Sequence, residues 1–539
     1  MTGSSSSTRA ARLAGVALIA LALGAGLAPR SAAAQAVAPQ IVQQPPPQVL
    51  PPERVEVPEV VLGRFLSRAH PLLERATWSS VAWDGGPLAV RLPSDHPLGD
   101  GTGGDVQRIA PDLTASGLSL SIGWRGTRLA AANAALVGEH LVLEGFTLEN
   151  EAGTLGADLV VLSDEALRSL GAAATGVLPE APAPSDVVIE DVAIEIRRGV
   201  DDPARGSFAS RFSAEHLVLD GLVARTVEAG EDAPGIPTLD IAGFGARGVS
   251  GSARFAGAAE FTLGSLALEG SPRNLTRVAQ AALGLADAPE DAARLFSLAF
   301  EDLLFRARRP GAEPAVFVAE SGGVYVNLGS SASRARLDLR GARASATLLA
   351  GTPIEEQART IAASASAQGL DAAGLEGGPH LGLDVAADAV LRPGRLRLRL
   401  VCLDAPGLAD ATAELDLDVA EDLDLSALGS RDLARARART MSLAVVDHGL
   451  ADLVRTLAGR SMSEIAGDVA ASVVAEVAGL PEAVARLTTA PLVGAVRTLE
   501  EEGSLAASSP TAAPVPLAAA GLLASAGTAE PDDLGVCGR

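Results

Sequence analysis

Two short stretches place a carboxylate beside an imidazole, Glu139-His140 and Glu215-His216. Together they form a zinc-competent donor set, provided that the fold lays them side by side. Nothing in the sequence makes them neighbours, and each pair opens a leucine repeat, so a solvated strand end used twice is the simpler reading. Gly243-Phe244-Gly245-Ala246-Arg247-Gly248 has dinucleotide-binding spacing and follows the strand-like Thr238-Leu239-Asp240-Ile241. That chemistry needs a helix to begin at the glycines, so that its N-terminus faces a pyrophosphate. The chain instead continues through Gly251 and Gly257 to a strand pattern by Phe261, which favours a glycine-rich turn between strands. Asp447-His448 is an acid–base pair without a Gly-x-Ser-x-Gly elbow or a third partner, and Asp447 is better placed to cap a helix. Asp416, Asp418, Asp422 and Asp424 have the composition of a calcium loop but lack its glycine and its closing glutamate, and read as the polar face of a strand. No residue is expected to be catalytic, to hold a metal or to bind a cofactor, and the chain is read as non-enzymatic.

The elements that carry these residues repeat. Glu139-His140-Leu141-Val142-Leu143-Glu144-Gly145 returns as Glu215-His216-Leu217-Val218-Leu219-Asp220-Gly221, with looser copies at Leu266-Ala267-Leu268-Glu269-Gly270 and Leu337-Asp338-Leu339-Arg340-Gly341. Leucines two residues apart share one face of a strand, and the glycine is free to take positive φ where the strand bulges or turns. The repeated unit is thus a strand with one apolar face. Leu141, Leu143, Leu217, Leu219, Leu266, Leu268, Leu337 and Leu339 are the candidate ligand-facing residues. Val142 and Val218 point the other way: in water if the sheet is an open groove, in protein if it is packed on both sides.

Composition narrows the function classes. With 539 residues and 48% apolar content the chain can bury a large core, and with 3% aromatics that core is built of Leu, Val and Ala. All basic residues are arginines, and a net charge of −23 excludes a nucleic-acid partner, because phosphate binding needs a clustered positive surface. The densest local group, Arg306, Arg308 and Arg309, is preceded by Glu301 and Asp302. At the N-terminus Arg9 and Arg12 precede the apolar run Leu13 to Leu27, followed by Ala-x-Ala sequences at residues 32–34 and 34–36. That is the pattern of a cleavable export signal, and the run falls short of the roughly 20 residues needed to span a bilayer. Cys402 and Cys537, the two cysteines of an exported chain, are a possible disulfide.

The expected organisation is a signal peptide over 1–36, a Pro/Gln-rich linker over 37–58, a β-rich domain over 59–440, a helical subdomain over 441–502 and an Ala/Pro-rich tail over 503–539. Within it, Val60 to Trp78 reads as a helix broken at Pro71, Gly86 to Gly104 as a loop, and Asp164 to Ala174 as a helix. Helices are also expected from Ala288-Pro289 and over Pro353 to Ala367. The series Val187, Ile189, Val192, Ile194, Ile196 slips by one step at Asp191, which predicts a bulge there. Asp447 to Ala458 and Ser461-Met462-Ser463-Glu464 open two further helices, the second with a capping box. The fold class is α+β: an extended, largely antiparallel curved meander sheet with interspersed helices.

The stretch Met441-Ser442-Leu443-Ala444-Val445-Val446-Asp447-His448-Gly449-Leu450, with Gly503-Ser504-Leu505 and Ala513-Pro514-Val515-Pro516-Leu517, resembles uncharacterised exported proteins of alphaproteobacteria, themselves distantly similar to the YdgA and AsmA type. The resemblance covers roughly residues 185 to 535. It implies a cell-envelope location, periplasmic or secreted, and a lipid or acyl chain carried along the apolar inside of a long curved sheet. A cleavable signal in place of a retained membrane anchor departs from that type. The alternative is a structural or protein-interaction protein of the periplasm without a small-molecule ligand.

Overall fold

The computed structural model describes residues 57–69, 76–83, 85–92, 96–98, 106–122, 127–150, 153–175, 182–198, 208–227, 236–254, 258–270, 295–308, 311–328, 332–349, 356, 359–360, 362–363, 380–421, 423, 436–468, 471, 490–516 and 525–527. The export signal, most of the linker and Cys537 lie outside the described residues, as do the start of the helix expected from Ala288 and most of that over 353–367. Strands dominate, with few helices, and the strands pair antiparallel. The described residues fall into two compact units, one drawn from Met1–Arg198 and Ser213–Phe244, the other from Gly199–Phe212 and Gly245–Arg539.

The first unit begins with helix α1 (Pro58–Ala69), strand β1 (Ser80–Trp83) and a two-stranded ribbon, β2 (Leu88–Arg91) with β3 (Val106–Ile109). It continues through β4 (Leu113–Ile122), β5 (Thr127–Val137), β6 (His140–Asn150) and β7 (Gly153–Ser163) to helix α2 (Asp164–Thr175), then β8 (Ser185–Arg198), β9 (Phe208–Val227) and β10 (Ile236–Asp240). Its sheet runs β1-β4-β5-β6-β7-β8-β9-β10. Helix α2 starts where the sequence indicates: the Ala166 N–H donates to Ser163 Oγ at 3.1 Å, and Asp164 and Glu165 occupy the positive first turn.

Around Leu141 to Leu143 both faces of this sheet are buried. Leu141 and Leu143 pack with Leu62 and Leu66 of α1 and with Ala166 and Leu167 of α2. Val142, 0% exposed, packs on the opposite face with Val161, Val188 and Val218 beneath Leu88 and Val90 of the ribbon. Gly86 to Gly104, read from sequence as a loop, therefore carries a strand that covers the second face. Its signal is short, two inward apolar residues in Leu88-Ala89-Val90, and its partner β3 lies beyond the glycines.

The repeat glycines behave as their chemistry allows. Gly145, Gly221, Gly270 and Gly341 all have positive φ, at 58°, 60°, 98° and 60°. Past Gly145 the inward face resumes one residue out of phase, so that Leu141, Leu143 and Phe146 all meet the same cluster. Asp191, with φ 50°, makes the same step in β8, which keeps Ile189 and Val192 buried or nearly so. The expected bulge is here a step shared by both strands. Gly156↔Ala193 and Leu159↔Glu190 keep one register on either side of it, because β7 also steps, from Ala157 to Val160.

The second unit holds β11 (Gly243–Arg254), β12 (Ala258–Glu269), β13 (Leu295–Arg308), β14 (Ala315–Leu328), β15 (Ser333–Ser345), a 3-10 turn (Ala346–Leu349), β16 (His380–Arg392), β17 (Arg395–Ala405), β18 (Ala409–Asp418) and β19 (Arg437–Asp447). Helices α3 (Leu450–Ala458) and α4 (Ala490–Glu502) precede β20 (Ser504–Pro516) and β21 (Ser525–Gly527). From β12 to β21 each strand pairs with the next, a continuous meander. Two boundaries differ from the sequence expectation. Met441 to Asp447 belongs to β19, so helix begins only after Asp447, and the first part of the 503–539 tail is strand β20, whose Leu505 and Ser508 pair with Val445 and Ser442. Three prolines within β20 hid it, since proline is poor in a sheet interior.

The helix caps were legible. Asp447 Oδ1 accepts from the N–H groups of Gly449 and Leu450 at 2.8 and 2.6 Å, and Oδ2 from Ala451 at 3.1 Å. The Ser461 N–H donates to Glu464 Oε2 at 3.0 Å while the Glu464 N–H donates to Ser461 Oγ at 3.2 Å, a reciprocal capping box for residues 462–468. Among the described residues no helix is long and apolar enough to cross a membrane.

Candidate functional site

Strand alternation makes the second unit's sheet two-sided. In Arg395-Leu396-Arg397-Leu398-Arg399-Leu400 the arginines take one face and the leucines the other, and Glu414-Leu415-Asp416-Leu417-Asp418 opposite them does the same. Direct cross-strand partners share a face. Leu268, Leu298, Val324, Leu337, Ala387 and Leu400 therefore form one apolar row across β12 to β17. A second row beside it holds Leu266, Phe300, Gly322, Leu339 and Val385. Phe300 lies over Gly322, where an added Cβ would come within 2.4 Å of its ring.

Burial along this face is uneven. One end is closed by a cluster of Leu391, Leu396, Leu417, Ala436 and Ala438. At β14 and β15 the face opens: Val324 is 36% and Leu337 43% exposed, although they are direct partners. Large apolar side chains at that exposure in adjacent strands form a patch that water solvates poorly.

The eight leucines thus have different environments. Leu141 and Leu143 do not line an open groove; helices of the same chain occupy the space above them. Leu217 is half-buried, and Leu219 packs against the same cluster. Leu268 is buried, Leu266 and Leu339 are half-buried, and Leu337 is exposed. Of the eight, Leu337 in the second unit is the one that is exposed. Cys402 is buried and disulfide-bonded.

The polar face carries ion pairs. Arg395 grips Asp416 in a fork, with Nε 2.8 Å from Oδ1, Arg397 meets Glu414 at 2.7 Å and Arg439 meets Asp418 at 2.5 Å. The Arg395 hydrogen bonds hold the Asp416 carboxyl below its ordinary pKa, against the opposing effect of burial. A depressed carboxylate pKa contributes stability that is present above the unfolded value near 3.8 and is lost as pH falls through the folded value. Asp416→Asn is expected to lower the melting temperature at pH 6 by the equivalent of about 1–2 kcal/mol, discounted because Arg395 is half exposed. The difference from wild type should shrink in melts below pH 4; a deficit independent of pH would refute the charge-pair account.

The acid–imidazole pairs are not brought together. His140 and His216 lie on β6 and β9 with β7 and β8 between them. His140 instead meets His96, with ring centroids 5.3 Å apart, and burial lowers its pKa despite Glu165 and Glu139. Burial and Glu165 raise that of Asp164. Among the described residues no three His, Cys, Asp or Glu side chains could hold a metal ion. His448 Nε2 lies 3.0 Å from Asp410 Oδ2, while Asp447 is committed to its cap. Gly243 to Gly248 runs within β11 and starts no helix there, so the dinucleotide geometry is missing.

One feature went unread in the sequence. Arg334, Arg336 and Arg340 border a groove of about 300 Å³, lined also by Asp338 and Asp388 and by uncharged residues of β15 to β17, among them Leu339, Val385 and Cys402. Its signal was the alternation Arg334-Ala335-Arg336-Leu337-Asp338-Leu339-Arg340. Comparison with family models, with curated proteins and with solved structures finds no match to this chain.

Proposed function

We propose that this is a non-enzymatic, exported cell-envelope protein that holds a lipid or other acyl chain against the apolar face of its second unit, along a sheet that curves around the ligand. The observation that carries the reading is the directly paired and exposed Val324 and Leu337, in the middle of an apolar row six strands wide. Burying such surface under an acyl chain contributes about 25 cal/mol per Å² of apolar area removed from water. Export, to the periplasm or outside the cell, is the part of the reading supported by the basic, apolar and Ala-x-Ala order of residues 9–36, the pattern of a cleavable signal. The alternative, a structural or protein-interaction protein without a ligand, is favoured by the first unit, whose sheet is packed on both faces around Leu141 to Leu143.

The test is extraction of the mature protein, purified from its native compartment, with organic solvent and mass spectrometry of the extract. Co-purified acyl lipid is expected, on a chain whose intact mass begins near Gln35 or Val37. Leu337→Asp should lose most of that lipid yet melt within about 1 kcal/mol of wild type, because the side chain is already partly in water. Lipid-free wild-type protein would favour the alternative.

A further inference from the structure

We propose that the groove at Arg334, Arg336 and Arg340 binds a phosphate-bearing anion. The argument rests on how charge is balanced across neighbouring strands. On β17 and β18 every arginine of the ladder faces an acid: Arg395, Arg397 and Arg399 stand opposite Asp418, Asp416 and Glu414. On β15 the ladder is short of acids. Arg334 has Asn327 and Val390 as its cross-strand neighbours, and Arg336 has Tyr325 and Asp388. Arg336 and Arg340 share one carboxylate, Asp338, at 3.0 Å each. The groove is thus bordered by three guanidiniums and two carboxylates.

Alternation along β15 puts all three guanidiniums on the same face, at positions i, i+2 and i+6. Each carries five N–H donors in a planar fork, and one carboxylate cannot accept them all. A tetrahedral phosphate, with oxygens in several directions, can bridge two or three such forks, with charge-assisted hydrogen bonds about twice as strong as neutral ones. The chain's net charge of −23 repels anions at long range, so an anion that is retained is held by local geometry and not by the general field. The inference is independent of the acyl reading, since these arginines and Leu337 occupy opposite faces of β15. A lipid headgroup and a free phosphate present the same chemistry, and the two arms of the experiment separate them.

The full mature chain is titrated calorimetrically with pyrophosphate, and in parallel sedimented with phosphatidylglycerol or phosphatidylcholine vesicles. Binding to pyrophosphate, or to phosphatidylglycerol but not phosphatidylcholine vesicles, is expected; binding to the vesicles alone identifies a headgroup as the source. The double variant Arg334→Gln/Arg336→Gln should bind about tenfold more weakly or worse, the scale set by losing charge-assisted hydrogen bonds. Arg334→Gln alone, at an exposed position without an acidic neighbour, should melt like wild type and still bind more weakly. Arg397→Gln, on the same face but matched to Glu414, should bind like wild type. Absence of binding to either probe, equal binding by the Arg334 variants, or equal weakening by Arg397→Gln would overturn the proposal.

Discussion

Val142→Asp and Leu143→Asp should both abolish the thermal transition of the first unit, to about the same extent. The two side chains point to opposite faces of β6, and in a sheet covered on one side only the outward one would tolerate a charge. Here neither faces water: Leu143 is 2% and Val142 0% exposed. Leu143 belongs to the cluster that holds Leu62 and Leu66, and Val142 to the one that holds Leu88 and Val90. Both clusters are built of apolar side chains, so an introduced carboxylate enters surroundings that solvate it poorly. Such a substitution costs several kcal/mol, a large share of the ~5–15 kcal/mol that holds a domain folded. Thermal melts of the two variants, followed by circular dichroism beside wild type, make the comparison. A silent Val142→Asp would mean that the ribbon of β2 and β3 does not cover the second face in solution.

The same pair of residues shows how far the sequence can be read. That Leu141 and Leu143 share a buried face follows from a spacing of two, a local rule, and it holds. Whether Val142 is buried depends on a ribbon some fifty residues upstream with only two inward residues in its first strand, and no local pattern announces it. The caps at Asp447 and Ser461 were legible because donor and acceptor lie within four residues of each other. Strand β20 was not, because its pairing with Leu443 and Val445 is long-range and its own composition argues against a strand. The arginine groove lies between these cases. Alternation in residues 334–340 fixes the common face, but the shortage of acids depends on Asn327 and Val390, which reach Arg334 only through the register of three strands. The exposed leucine differs from its buried counterparts for a similar reason: the four repeats encode the same strand, and what covers each strand is encoded elsewhere.

The steps in the strands predict effects of opposite sign at two positions. Gly221→Val should destabilise the first unit by about 2–4 kcal/mol. Gly221 has φ 60°, where a β-branched residue is strained by roughly 1–2 kcal/mol, and a Cβ there would lie 2.9 Å from the Cβ of Ala242, closer than side chains pack. Its N–H donates to Asp186 Oδ1 at 2.8 Å, so the backbone cannot turn away without giving up that bond. Asp191→Gly should act the other way. Asp191 makes the equivalent step with φ 50° but carries a side chain, and it is exposed, so replacing it relieves strain without opening a cavity. The gain is at most about 1 kcal/mol, because glycine also returns freedom to the unfolded chain. Chemical denaturation of both variants measures the two effects on one scale. Equal destabilisation by both would mean that the left-handed steps do not keep the apolar face in phase, and that the side chain of Asp191 has a structural part of its own.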